Sequence, residues 1–125
     1  MKASNQETLE LPNRLVHEPA RLAILTVLSS CESADFVFLR RVTGLTKGNL
    51  SVQLVNLEQA GLIVITKEIV ERKMRTTVKL SKRGAAEIEE YWQTMDAIRS
   101  RMVRRKDRRS ARYPLPATAR FGFSG

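Results

Sequence analysis

Only Gly44 and Leu45 stand between the end of one helical pattern and Thr46, a good N-cap for the next. Two helices joined by so short a turn cannot lie parallel. They cross steeply, and the second projects from the body with one face buried and one exposed. In that second helix Leu50, Leu54 and Leu57 repeat at i, i+4 and i+7, and Gly61 stands where a left-handed C-terminal cap belongs. The helix before the turn is short. Ser33 or Asp35 can cap it, Phe36, Leu39 and Val42 share one face, and Gly44 ends it. Upstream, Leu22, Ile24, Leu25, Val27 and Leu28 fall at helical spacing behind Pro19, which suits a first helical position. A shorter helical turn is expected around Leu11 to His17.

After Gly61 the pattern changes. Leu62 to Thr66 is apolar and β-branched, too short to compete as a helix, and Thr76 to Leu80 alternates with Thr76, Val78 and Leu80 on one side. The charged stretch Glu68 to Arg75 between them reads as the long basic connection of a two-stranded hairpin. Ser81 then caps a last helix expected to run to about Lys106. Past Arg108 the chain has no period and two prolines, which reads as a flexible tail. Helix, short helix, tight turn, helix, hairpin, helix is the order of a winged helix-turn-helix. The expected fold class is therefore mainly α with a small β-hairpin (α+β), with a C-terminal dimerisation helix. The expected divisions are a winged domain over 11–81, that helix over 82–107 and a basic tail over 108–125.

Charge sharpens the reading. The chain of 125 residues carries a net +9, but the excess lies in two blocks. Residues 40–83 hold ten bases against three acids, and residues 99–125 hold nine against Asp107 alone. Residues 1–39 and 84–98 are net acidic. Such segregation suits a polyanionic partner, nucleic acid before an anionic membrane surface. On the outer face of the third helix lie Lys47, Asn49, Ser51, Val52, Gln53 and Asn56, with Thr46 at its start. Asparagine and glutamine can pair with adenine edges, and Val52 can meet a thymine methyl. In the hairpin, Arg72, Lys73 and Arg75 surround Met74 and suit phosphate or minor-groove contact. Lys47 and Lys82-Arg83 open helices where the backbone dipole is already positive, a placement that a bound phosphate would offset.

These segments carry a resemblance. Leu15-Val16-His17-Glu18-Pro19-Ala20-Arg21-Leu22-Ala23-Ile24-Leu25 and Ala34-Asp35-Phe36 resemble the opening of small winged-helix transcriptional regulators related to the MarR and ArsR types. So do Gly44 to Ser51 and Leu54 to Leu62, while Arg75 to Gly84 resembles the family's last strand and the start of its final helix. The resemblance spans about residues 11–92. It implies dimerisation through terminal helices and reading of double-stranded DNA by the third helix and wing. Two features depart from it: the wing lacks the glycine or proline often found near such a tip, and the basic segment after Arg99 lies outside it.

Other chemistry is thinly represented. One cysteine, Cys31, and one histidine, His17, fourteen positions apart, do not make the three or four donors a transition metal wants. Cys31 reads as a structural thiol, with redox sensing the lesser alternative. His17 reads as a local hydrogen-bonding group. No glycine-rich phosphate loop, paired-carboxylate motif or zinc-protease pattern is present, so no catalytic residue, metal or cofactor is expected. No apolar run is long enough to insert in a membrane, the opening Met1 to Glu10 is unlike a secretory signal, and a lone cysteine fits a cytoplasmic setting.

The last helix carries Ile88, Trp92, Met95, Ile98 and Met102 at spacings of three or four. Such a stripe is longer than three short helices and a hairpin can cover, and pairing with a second copy in a homodimer covers it. The alternative is that it folds back on its own domain, with Trp92 in the core. The leading expectation is thus a dimeric, sequence-specific DNA-binding regulator on an inverted-repeat operator. Its rivals are a winged-helix protein-interaction adaptor and a non-specific nucleic-acid or membrane-surface binder acting through the arginine-rich end.

Overall fold

The computed structural model describes residues 8–109, with side chains to Arg105. The elements are α1 (Pro19–Ser29), β1 (Ala34–Asp35), α2 (Phe36–Thr43), α3 (Lys47–Gln59), β2 (Ile63–Val70), β3 (Lys73–Leu80) and α4 (Lys82–Arg109). They build the expected winged helix-turn-helix of the α+β class. Of the tail expected over 108–125, Arg108 and Arg109 close α4, and the remainder lies outside the described residues.

Each helix starts on a side-chain cap. Glu18 accepts from the Arg21 amide at 2.8 Å, Asp35 from the Phe38 amide at 2.7 Å and Thr46 Oγ1 from the Asn49 amide at 3.1 Å. Pro19 occupies the first turn of α1. Gly44 adopts φ +74° and turns its N–H back to Arg40 at 3.0 Å, so α2 ends and α3 begins within three residues. The first segment, around Asn13 to Val16, is a turn held by the Asn13 carbonyl.

The core draws on every element: Val16, Ile24, Leu25 and Leu28; Ala34; Leu39; Leu50, Leu54 and Leu57; Leu62, Ile63 and Val78; and Ile88 with Tyr91 from α4. In α2 only Leu39 is buried, while Phe36 is half-buried and Val42 exposed. A repeat of three falls short of a helical turn by about 60° each time, so the expected face rotates out of the core.

The wing differs from expectation. Its strands run on through the charged stretch, pairing in register from Ile63 with Leu80 to Val70 with Lys73. The connection is only Glu71-Arg72, both left-handed at φ 52° and 68°, the signature of a tight type I′ hairpin turn. A two-residue strand, β1, was not expected. Ala34 pairs with Val78 and Asp35 with Thr77, giving the antiparallel order β1-β3-β2.

Residues 11–94 form one compact unit, which takes in the first turns of α4. The described residues from Met95 onward belong with residues 8–10 to a second unit. Within it Arg101 Nη1 donates to the Thr8 carbonyl at 3.3 Å. Among the described residues no helix is long and apolar enough to cross a membrane, and no group of three or more His, Cys, Asp or Glu side chains could hold a metal ion.

Candidate nucleic-acid interface

The burial of α3 divides it cleanly. Leu50, Leu54 and Leu57 face the core, and Lys47, Asn49, Ser51, Val52 and Asn56 are exposed. Val52 keeps 56% of its surface in solvent, on the same side of the helix as these polar groups. Thr46 uses its hydroxyl oxygen as the helix cap, which leaves its O–H proton for another acceptor.

Gln53 is different. It is half-buried, its Oε1 accepts from Arg21 Nη1 at 3.1 Å, and its Nε2 donates to Asn49 Oδ1 at 3.2 Å. The side chain expected to reach outward is thus engaged within the domain. The sequence reading missed Arg21 altogether. It stood there only within the family-like segment Leu15 to Leu25, with no role of its own.

The wing places its cations on strands more than on a loop. Arg72 sits in the turn, while Lys73 and Arg75 lie on β3, two residues apart and therefore on one face. Arg75 stands directly across from Glu68, and Met74 across from Ile69 on the other face. Lys73 and Arg75 join Lys47 in lining an open cleft of about 520 Å³ between the wing and the starts of α2 and α3. Asp35 and Glu71 also line it, and Asp35 is already occupied as the cap of α2. Three cations lining one cleft, Lys47 from α3 and Lys73 and Arg75 from β3, suit a phosphate group. Arg72 does not line the cleft.

The stripe on α4 is divided. Ile88 is buried at 3% exposure in its own winged domain, which removes it from any surface between copies. Tyr91, not Trp92, completes that core: it is 4% exposed and its hydroxyl lies 2.9 Å from His17 Nδ1. Trp92 packs edge-on against Tyr91 at 4.9 Å and remains 42% exposed. Spacing from Ile88 permits either residue, at i+3 or i+4, so periodicity alone had no means of choosing. Met95 and Ile98 are half-buried and Met102 is exposed. Cys31 is a half-buried free thiol.

A helix-turn-helix closed by three residues, with a polar outer helix and a two-stranded basic wing, defines a winged-helix protein of the DNA-binding type. Residues 20–99 match the family of winged helix DNA-binding domains, and the chain belongs to that family rather than to a family of enzymes. An uncharacterised protein of Methanocaldococcus jannaschii is 27% identical over 78 residues, 62% of this chain and 85% of its own length. The transcriptional regulator homologue from Pyrococcus horikoshii OT3 is similar at 29% identity and a TM-score of 0.68, over 72% of this chain and 89% of that one. A MarR family transcriptional regulator from Silicibacter pomeroyi shares the fold at 23% identity and a TM-score of 0.54, over 88% of this chain and 67% of its own. The winged-helix regulator resemblance read from the sequence holds, and the likeness to the MarR family member is one of fold.

Proposed function

We propose that this chain regulates transcription by binding duplex DNA sequence-specifically as a homodimer on an inverted repeat. One observation carries the reading: α3 buries three leucines and turns Lys47, Asn49, Ser51, Val52 and Asn56 to solvent. In the major groove Asn49 and Asn56 offer amide groups to base edges and Val52 offers its methyls to thymine. Thr46, Ser51 and Lys47 lie where α3 meets the phosphate backbone. Lys47, Lys73 and Arg75 grip a backbone phosphate in the cleft, while Arg72 at the wing turn reaches beyond it. Gln53 takes part through Asn49.

Dimerisation is assigned to α4, through Met95, Ile98 and Met102, with the exposed Trp92 preceding them on the helix. A two-fold dimer sets two α3 helices in successive major grooves, about 34–36 Å apart. The test is selection from a random-core duplex library by the purified chain, with sedimentation in parallel. A two-fold symmetric consensus retained by a dimer is expected. Retention without sequence preference, lost on removing residues after Met102, would overturn the reading in favour of a non-specific binder acting through its arginine-rich end.

A further inference from the structure

Arg21 belongs to α1, yet its guanidinium governs the surface of α3. Nε donates to the Leu15 carbonyl at 2.6 Å and Nη1 to Gln53 Oε1 at 3.1 Å, and Gln53 Nε2 donates in turn to Asn49 Oδ1 at 3.2 Å. Three side chains on two helices thus form one directed row. Its direction has a physical origin. A guanidinium only donates, so the Gln53 carbonyl must face it, and turning that amide over would set N–H against N–H. The charged donor makes this the stronger kind of hydrogen bond. With its carbonyl turned to Arg21, Gln53 presents its amide nitrogen to Asn49, and that donor draws the Asn49 carbonyl toward it along the helix.

An asparagine or glutamine that reads adenine must accept from N6–H and donate to N7 with the same amide. Here both carbonyls are engaged within the protein. Each oxygen keeps a second lone pair, but each is tied to a donor within the protein, and the hydrogens without such a tie are the two on Asn49 Nδ2 and the second on Gln53 Nε2. In the major groove only guanine presents two adjacent acceptors, N7 and O6. Adenine sets a donor beside N7, cytosine offers a donor, and thymine sets a methyl beside O4.

We infer that Arg21 is a specificity-determining positioning residue: it holds Gln53, and through it Asn49, with amide hydrogens outward, and so directs α3 to guanine and away from adenine. The inference rests on the reading that α3 enters the major groove.

The experiment is selection of random-core duplex DNA by the full chain and by Asn49→Ala, Arg21→Met and Gln53→Met. The parent enriches guanine at one position per half-site, and Asn49→Ala abolishes that preference while weakening binding to the selected site by about ten- to a hundredfold. Arg21→Met and Gln53→Met let the Asn49 amide turn either way. Adenine then rises to parity with guanine at that position, and the other positions keep their preferences, which a merely structural loss would not do. If Arg21→Met fails to fold by circular dichroism, Gln53→Met decides alone, since it leaves the Arg21 bond to Leu15 in place. An adenine consensus at the Asn49 position, or a guanine preference that survives the substitutions, overturns the inference. A parent chain that enriches no sequence overturns it too, and does so before any substitution, which separates failure of the underlying reading from failure of the Arg21 row.

Discussion

Gly84 rests its bare Cα on the Leu62 peptide, so close that a Cβ at position 84 would overlap the Leu62 carbonyl. Ser81 closes the same corner. Its N–H donates to the Leu62 carbonyl at 3.0 Å, its Oγ donates to the Gly61 carbonyl at 2.6 Å and accepts from the Gly84 amide at 2.9 Å. Gly84 therefore stands in a helix because α4 must start against the backbone that leads into the wing. Gly84→Ala would gain about 1 kcal/mol of helix propensity. It would meet an overpacking cost of about 1–3 kcal/mol, near the upper end because the obstacle is backbone and cannot rotate aside. The expected outcome is a net loss of stability, seen as a melting temperature lower by several degrees. A rise would show that α4 can slide along the strand.

The wing turn stores strain of a removable kind. Glu71 and Arg72 both sit at positive φ without being glycine or asparagine, a conformation that costs about 1–2 kcal/mol for an ordinary side chain. Asparagine tolerates it and is favoured in such turns. Glu71→Asn should stabilise the protein by about 0.5–1 kcal/mol on the same scale. It also removes a carboxylate from the cleft that Lys47, Lys73 and Arg75 line, so affinity for any duplex should increase. Thermal melting and a titration with random duplex check the two halves separately.

The same turn shows where the sequence was legible and where it was not. The helix-turn-helix could be read because its punctuation is local: Asp35, Gly44, Thr46 and Gly61 each act on the backbone beside them. Alternation in Thr76 to Leu80 marked one strand for the same reason. The continuation of both strands to Val70 and Lys73 rests on cross-strand pairing of charged residues, and Glu71-Arg72 carries none of the usual turn residues. On α3 the exposed face followed from the leucine repeat. The engagement of Gln53 by Arg21 joins residues 32 positions apart, and no periodicity reports a contact between helices. Spacing from Ile88 admits Trp92 as readily as Tyr91, and the place beside His17, which takes the Tyr91 hydroxyl, is set by a contact 74 positions away.

Lys73 and Arg75 lie on one face of β3 and share the cleft with Lys47. If they neutralise phosphates, replacing both with glutamine lowers affinity for selected and unrelated duplexes by similar factors. The slope of log K against log salt falls by about 0.9 for each lost contact. An unchanged slope would mean that the wing faces away from DNA.

The arginine-rich end is expected to act through charge alone. Residues 99–125 carry nine bases against one acid. Removing residues 108–125 should weaken binding to selected and random DNA by similar factors and leave the consensus intact. A changed consensus would give that segment a part in reading bases.

The dimer prediction draws on the division of α4. The compact winged unit ends at Thr94, and Ile98 lies beyond it, half-buried, with Met95 and Met102 at helical spacing. A charge there should spare the fold, because the core residues Ile88 and Tyr91 belong to the other unit. If the same face meets its copy across a two-fold axis, Ile98→Asp places two carboxylates against each other in an apolar patch. The expected product is a folded monomer with an unchanged far-ultraviolet spectrum. Its affinity for a single half-site should persist, while affinity for the full inverted repeat falls by about a hundredfold or more, since the second half-site is no longer tethered to the first. Sedimentation of the parent chain decides the premise. A monomer at micromolar concentration would remove α4 from dimerisation and leave each half-site to be bound independently.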